Sequence, residues 1–200
     1  MWDQRYDRPD YLFGTRPAEF LVQQAKVLSA RSTILCVADG EGRNSVYLAE
    51  LGHAVTAFDA SQIGVEKARK LALQRTVDVE FNLSGVEDWN WSQQYEAVVG
   101  IFIQFAPPQL RQSMLSKMIE AVRPGGLLLL HGYAPRQVKY GTGGPPNAEN
   151  MYTVELMQKT FADLEILRLE DYDANIDEGE GHSGISALVD LIARKPDQQS

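Results

Sequence analysis

The chain has 200 residues, 44% of them hydrophobic, which is enough for one domain with a sizeable core. Its formal charge of −8, with Lys and Arg scattered among acids, argues against nucleic acid and anionic membrane surfaces as partners. The single cysteine, Cys36, excludes an internal disulfide and fits a reducing compartment.

The chain starts "MWDQRYDRPDY", charged and aromatic, without the basic-then-apolar pattern of a secretion signal. Residues 1–17, punctuated by Pro9, Gly14 and Pro17, are expected to form an arm or lid. "AEFLVQQAKVL" repeats apolar residues at helical spacing, and "TILCVA" is a buried strand. "RNSVYLAEL" is a helix whose free N–H groups Asn44 or Ser45 could cap. "HAVTAFD" is a second strand; Ser61 caps a helix over "QIGVEKARKLAL"; "VDVEF" is a third strand. "YEAVVGIFI" is a fourth, apolar enough to be covered on both faces, and the prolines of "PPQLRQSMLSKMIEAV" suit a first helical turn. "LLLLHGY" is a fifth strand, followed by the irregular loop "APRQVKYGTGGPPNAEN". A helix over "TVELMQKTFA" and two strands joined at "DEGEGHSG" complete the chain. The longest apolar stretches, "AVVGIFIQFA" and "GGLLLLHGYA", fall short of the roughly 18 residues that span a bilayer, so a soluble cytoplasmic protein is expected.

Strands alternating with helices predict a Rossmann-like, doubly wound and mostly parallel seven-stranded sheet, helices on both faces, ending in an antiparallel hairpin. No repeat or linker divides the chain, so residues 1–200 read as one domain.

The segment "ILCVADGEGRNSVYLAELGHAVTAFDAS" carries the chemistry. A helix N-terminus gathers unpaired N–H groups, and glycines ahead of it let a ligand approach the backbone. A dinucleotide site expects G-x-G-x-x-G, but after Gly40 and Gly42 the third position is Ser45. Asp39 and Glu41 crowd the turn and would repel a pyrophosphate. Asp59 ends the second strand 17 positions after Gly42, close to the roughly 20-residue spacing of a ribose-binding acid. A turn rich in acid, with an acid for ribose, suggests a cationic adenosyl ligand, S-adenosylmethionine. The alternatives are a nicotinamide-dependent oxidoreductase and a non-catalytic S-adenosylmethionine-binding regulatory module.

This segment resembles motif I and the next strand of class I S-adenosylmethionine-dependent methyltransferases, in the branch around tellurite-resistance and thiopurine methyltransferases. Arg43-Asn44-Ser45 follows the glycine turn as in that branch. "WDQRY" with "YLFGTRPAEFL" resembles its N-terminal arm, "VEDWNW" its third-strand exit, "YEAVVGIFIQFAPPQLR" motif IV, and "VRPGGLLLLHGY" the junction into the fifth strand. Cys36 and Ala38 stand where the family usually has an acid and a glycine, and Gly85 where many members have an acid toward the adenine amino group.

Together these readings assign cofactor binding to Ala38, Asp39, Gly40, Gly42, Asn44, Asp59, Ala60, Gly85, Val86, Glu87, Gly100 and Ile101. Val86 and Glu87 enter by the resemblance, which implies adenine beside the third strand's exit. The plain alternatives stand beside them: helix capping for Asn44, packing for Val86 and Ile101, solvent for Glu87. The acceptor wall is assigned to Tyr11, Phe13, His131, Tyr133, Tyr140 and His182. The three histidines lack metal-ligand spacing, so no metal is expected, and no catalytic residue is assigned. The expected reaction is direct methyl displacement onto a small-molecule acceptor, such as a thiol, selenol, tellurium species or other heteroatom nucleophile. A general base is required only if the acceptor arrives protonated. The oligomeric state is left open.

Overall fold

The computed structural model describes residues 2–197. Seven strands form one sheet: β1 (Thr33–Val37), β2 (Ala54–Asp59), β3 (Glu80–Leu83), β4 (Tyr95–Ile101), β5 (Val122–Tyr133), β6 (Glu165–Asp177) and β7 (Ser183–Arg194). Their order is β3-β2-β1-β4-β5-β7-β6. The first five run parallel, and β7 inserts antiparallel between β5 and β6. The doubly wound sheet with a terminal hairpin is therefore present.

Alternate residues of each central strand feed opposite faces, as a pleated backbone requires. Leu35 and Val37 of β1 join Val98, Leu128 and Leu130 beneath α5 (Pro108–Ala121) and α7 (Val154–Thr160). Ile34 and Cys36 join Ala57, Val99 and Leu129 beneath α2 (Glu19–Gln24) and α3 (Arg43–Glu50). Cys36 is thus a packing residue whose thiol pKa burial pushes up, the inert state of a buried thiol.

Helix starts carry the chemistry expected of them, with one exception. Ser61 accepts from Gly64 N at 3.0 Å to cap α4 (Gln62–Arg75), and Thr153 accepts from Leu156 N at 3.1 Å to cap α7. At α3, neither Asn44 nor Ser45 is the cap: Gly42 holds that position at φ +87°. Asn44 Oδ1 instead accepts from Ala18 N at 2.9 Å, and Ser45 hydrogen-bonds Asp39. The loop after β5 also has more structure than expected, a short α6 (Gln137–Tyr140) and a 3-10 turn at Ala148–Asn150.

The N-terminal arm contains α1 (Trp2–Tyr6) and is tied down at both ends. Asp3 Oδ1 accepts from Ser61 Oγ at 2.5 Å and Ile63 N at 3.2 Å, at the positive N-terminal end of α4. Lys67 on α4 donates to the carbonyls of Tyr6, Arg8 and Asp10 and pairs with Glu41 at 2.5 Å. Glu41 also accepts from Leu12 N at 2.8 Å. The hairpin tip then closes on the arm, so tightly that a Cβ at Gly181 would run into the Phe13 ring. Buried Arg43 and Glu178 pair at 2.8 Å beneath that junction.

Among the described residues, no helix is long and apolar enough to cross a membrane.

Candidate active site

At the C-terminal edge of β1 and β2, the carboxylate of Asp59 organises the glycine turn. Its Oδ2 accepts from Gly40 N at 2.9 Å and its Oδ1 from Ser61 N at 2.8 Å. A carboxylate has about four lone-pair directions, so each oxygen retains capacity for a ligand hydroxyl. Gly40 takes φ +61° with Tyr6 Oη only 2.7 Å from where a Cβ would stand. The arm's tyrosine therefore lies directly over the turn.

Asp39 is the second carboxyl of the turn. Burial, opposed by the Ser45 hydrogen bond and reinforced by the neighbouring Asp59, pushes its pKa up to about 7. Arg43 lies near enough to oppose the shift but pairs with Glu178. A buried carboxyl held this way gains from an incoming cation and would repel a diphosphate. The other acid of the turn plays a different part, because Glu41 is neutralised by Lys67 and spent on anchoring the arm. Only Asp39 supports the electrostatic case against phosphate ligands made from the sequence.

The sign of the Asp39 shift sets a pH prediction. Its folded-state pKa lies above the unfolded value of 3.8, so the folded chain binds more protons, and stability falls as pH rises from about 4 to about 7. Asp39→Asn is expected to flatten that decline in melts run from pH 5 to pH 8. A cation bound beside Asp39 expels its proton. S-adenosylmethionine affinity should therefore rise with pH up to about 7 and then level, and calorimetry in buffers of different ionisation enthalpy would register proton release.

Ala38 explains the family's usual glycine. It sits at φ +48°, the left-handed region that costs an L-residue roughly 1–2 kcal/mol. Ala38→Gly is expected to raise stability by about 1 kcal/mol, roughly 2–4 °C in Tm for a chain this size. Thermal melts with and without S-adenosylmethionine check it.

A cavity of about 660 Å³ opens from this turn toward the arm and the hairpin tip, within the size range of small-molecule sites. It brings together Ala38, Asp39, Gly40, Asn44, Asp59, Ala60, Gly85, Val86, Glu87 and Ile101 of the cofactor set, and Phe13, Tyr133 and His182 of the acceptor set. At Gly85 a Cβ would meet only Asp88 Oδ2, at 3.6 Å.

Five assigned residues stand elsewhere. Gly42 is a packing glycine: a Cβ there would lie 2.6 Å from Ala68 Cβ, so its absence lets α4 close on the start of α3. Gly100 is enclosed by Ile103, Met118 and Leu130 in the core. Tyr11 faces α4 and donates to the carbonyl of Lys67 at 3.1 Å. Tyr140 lies on α6 and donates to Asp173 at 2.7 Å on the hairpin's outer strand. His131 is buried one layer back, stacked on Phe20 and bonded through Nδ1 to Asp190 at 2.7 Å. Strand alternation alone put Tyr133 and His131 on the same face; the intervening Phe102 ring separates His131 from the cavity.

The cavity also takes Trp2, Arg5, Arg43, Gln104 and Asn150, which the sequence reading did not assign. Arg43 carried a signal, since it lies in the Arg-Asn-Ser run, whereas the others reach the site only through tertiary packing.

This sheet order, with a glycine turn facing an acid at the end of β2, defines the class I S-adenosylmethionine-dependent methyltransferase fold. Residues 34–126 match a family described as a methyltransferase domain. A 131-residue stretch is 26% identical to the 2-heptyl-1-hydroxyquinolin-4(1H)-one methyltransferase of Mycobacteroides abscessus, covering 62% of this chain and 55% of that protein. The chain thus spans about half the length of this curated relative. Among solved structures, TehB from Haemophilus influenzae superposes with a TM-score of 0.74 at 22% identity, over 89% of this chain and 62% of that one. The structure reported for the conversion of a disulfide bond into a thioacetal group during echinomycin biosynthesis superposes with a TM-score of 0.79 at 17% identity, over 100% and 92%. Residues 34–126 thus carry a methyltransferase domain, and the whole chain shares the fold of these S-adenosylmethionine-dependent methyltransferases. The match to the family spans residues 34–126, so the arm before it and the hairpin tip and the loop over residues 141–150 after it lie outside.

Proposed function

We propose that this protein transfers the methyl group of S-adenosylmethionine to a small-molecule heteroatom acceptor by direct displacement. The observation that carries the reading is a single cavity that joins the Asp39 and Asp59 edge to an arm-covered aromatic chamber. Asp59 would hold the ribose hydroxyls, and Asp39 would face the cationic methionine moiety. Val86 and Phe58 would flank adenine, with Trp89 stacked on Phe58 at 4.5 Å to stiffen that wall. Bound S-adenosylmethionine supplies an already electrophilic methyl, so the chain's work is alignment and exclusion of water. Tyr6 and Phe13, pinned by the Asp3, Lys67 and Glu41 contacts, are placed to do the excluding.

A soft nucleophile such as a thiol or selenol is favoured by the likeness to the tellurite and thiopurine branch, and an oxygen nucleophile by the hydroxyquinolone relative's name. Calorimetry with S-adenosylmethionine, S-adenosylhomocysteine and NAD on one preparation tests the cofactor side. The reading predicts binding of the first two and none of NAD. Transfer of labelled methyl to a panel of thiols, selenols, phenols and amines tests the enzyme side, and binding without transfer to any of them would make the protein a non-catalytic module.

A further inference from the structure

The chamber beyond the glycine turn is apolar on most sides, through Trp2, Phe13, Phe102, Phe105 and Pro146. One part of its wall is different. His182 Nδ1, Tyr133 Oη and Asn150 Oδ1 are buried without a hydrogen-bond partner among the described residues. All three residues line the cavity. Buried polar atoms are normally paired, so three orphans on one chamber call for a ligand that brings the missing donors and acceptors. Gln104 cannot serve them, because both ends of its amide are taken by the Tyr133 backbone at 2.6 and 2.7 Å.

His182 sits in an aromatic cage. Its ring lies 4.4 Å from Phe13, 4.1 Å from Phe102 and 5.6 Å from Tyr133, centroid to centroid. Phe102 is held at φ +55°, a strained backbone that fixes its ring between His131 and His182. The charged and titratable groups around the imidazole are Arg43 on α3, Arg5 on α1, His131 on β5, the Tyr133 phenol, and Glu178 across the hairpin turn. Glu178 is spent on Arg43, so among the described residues no carboxylate pairs with the ring. Burial and these cations keep the imidazole neutral, hence able to accept a proton.

Resting on the methyltransferase reading above, we propose that the acceptor is a planar, mostly apolar aryl compound carrying an acidic hydroxyl or thiol, and that His182 takes its proton as the methyl transfers. The acceptor's oxygen or sulfur bonds to the methyl carbon while the carbon–sulfur bond of the sulfonium gives its electron pair to sulfur. The acceptor proton passes to the imidazole and leaves to solvent. A depressed imidazole is a weak base, which selects aryl hydroxyls and thiols over aliphatic alcohols. Tyr133 and Asn150 would hold the polar edge of the ring system, and Phe13 and Phe102 its faces.

The test compares 2-naphthol, which is protonated at neutral pH, with thiophenol, which is largely ionised. His182→Asn is expected to lower kcat for 2-naphthol by about 100-fold or more and for thiophenol by less than about threefold. At saturating S-adenosylmethionine, the wild-type kcat with 2-naphthol should fall on acidification in a limb that thiophenol reproduces only through its own ionisation. Calorimetry with S-adenosylmethionine and a melt of each variant establish that the cofactor half is intact, and His182→Phe, which refills the cage without a base, should behave like His182→Asn. Equal losses for both acceptors, or no loss, would overturn the proton-transfer role. Methylation of aliphatic amines or alcohols in preference to both aryl probes would overturn the acceptor class. Failure to bind S-adenosylmethionine at all would instead sink the methyltransferase reading beneath it.

Discussion

Asp59→Ala is expected to weaken S-adenosylmethionine binding by about 100-fold or more, because two ribose hydrogen bonds to a charged acceptor contribute roughly 1.5–3 kcal/mol each. The side chain also has a structural role that sharpens the experiment. Removing it orphans Gly40 N and Ser61 N, the donors that tie the glycine turn and the entry to α4 to the end of β2. Each buried unpaired N–H costs about 1–3 kcal/mol, so the variant should melt several degrees lower even without ligand. Asp59→Asn separates the two roles. Its amide oxygen can keep one backbone N–H, while its NH2 meets the other donor head-on, so part of the stability returns and cofactor binding does not. Calorimetry on both variants, with melts alongside, reads the two effects independently. Wild-type affinity in Asp59→Ala would remove the ribose assignment.

Most of the frame was legible from local pattern. Buried strands such as Ile34–Val37 and Val98–Gly100 announce themselves as short apolar runs between glycines and helices, and Ser61 announces the helix it caps. The gathering of Gly40, Asp59 and Val86 on one cavity was legible for the same reason: they follow strand ends, where the topology fixes their neighbourhood. What failed was anything set by distant pairing. Glu41 reads in sequence as an acid aimed at the ligand, but Lys67 and Leu12 N claim it from 26 and 29 residues away. Gly42 reads as a ligand glycine, and the structure packs it against Ala68 on the next helix. His131 and Tyr133 share one strand face, and the strained Phe102 packed between them decides which one meets the cavity. The acceptor half is built from the arm, the loop and the hairpin tip, three segments with no regular periodicity to read. Those three segments also fall outside the stretch shared with the family, which contributes Phe102, Gln104 and Phe105 to that side of the cavity.

Glu178→Ala is expected to be the most destabilising change near the site that does not touch the cofactor. The Arg43–Glu178 pair has side chains 7% and 6% exposed, and Glu178 also accepts from Glu19 N at 3.0 Å. Deleting one partner leaves an uncompensated buried cation, a loss of about 3–5 kcal/mol, or roughly 10 °C or more in Tm. The functional consequence follows from what the pair joins. Arg43 belongs to the glycine-turn helix and donates to the carbonyl of Arg16 in the arm, while Glu178 begins the turn that carries His182. Loosening it should raise KM for the acceptor more than it weakens S-adenosylmethionine. The freed guanidinium should also turn toward Asp39, lowering that carboxyl's pKa and shrinking the pH dependence of cofactor binding. Replacing both members with apolar residues, Arg43→Met with Glu178→Leu, should recover most of the stability but not the acceptor KM, because desolvated ions are dispensable for folding once both are gone. If the double variant restores acceptor affinity along with Tm, the pair is scaffolding alone and the hairpin tip needs no ionic registration to the arm.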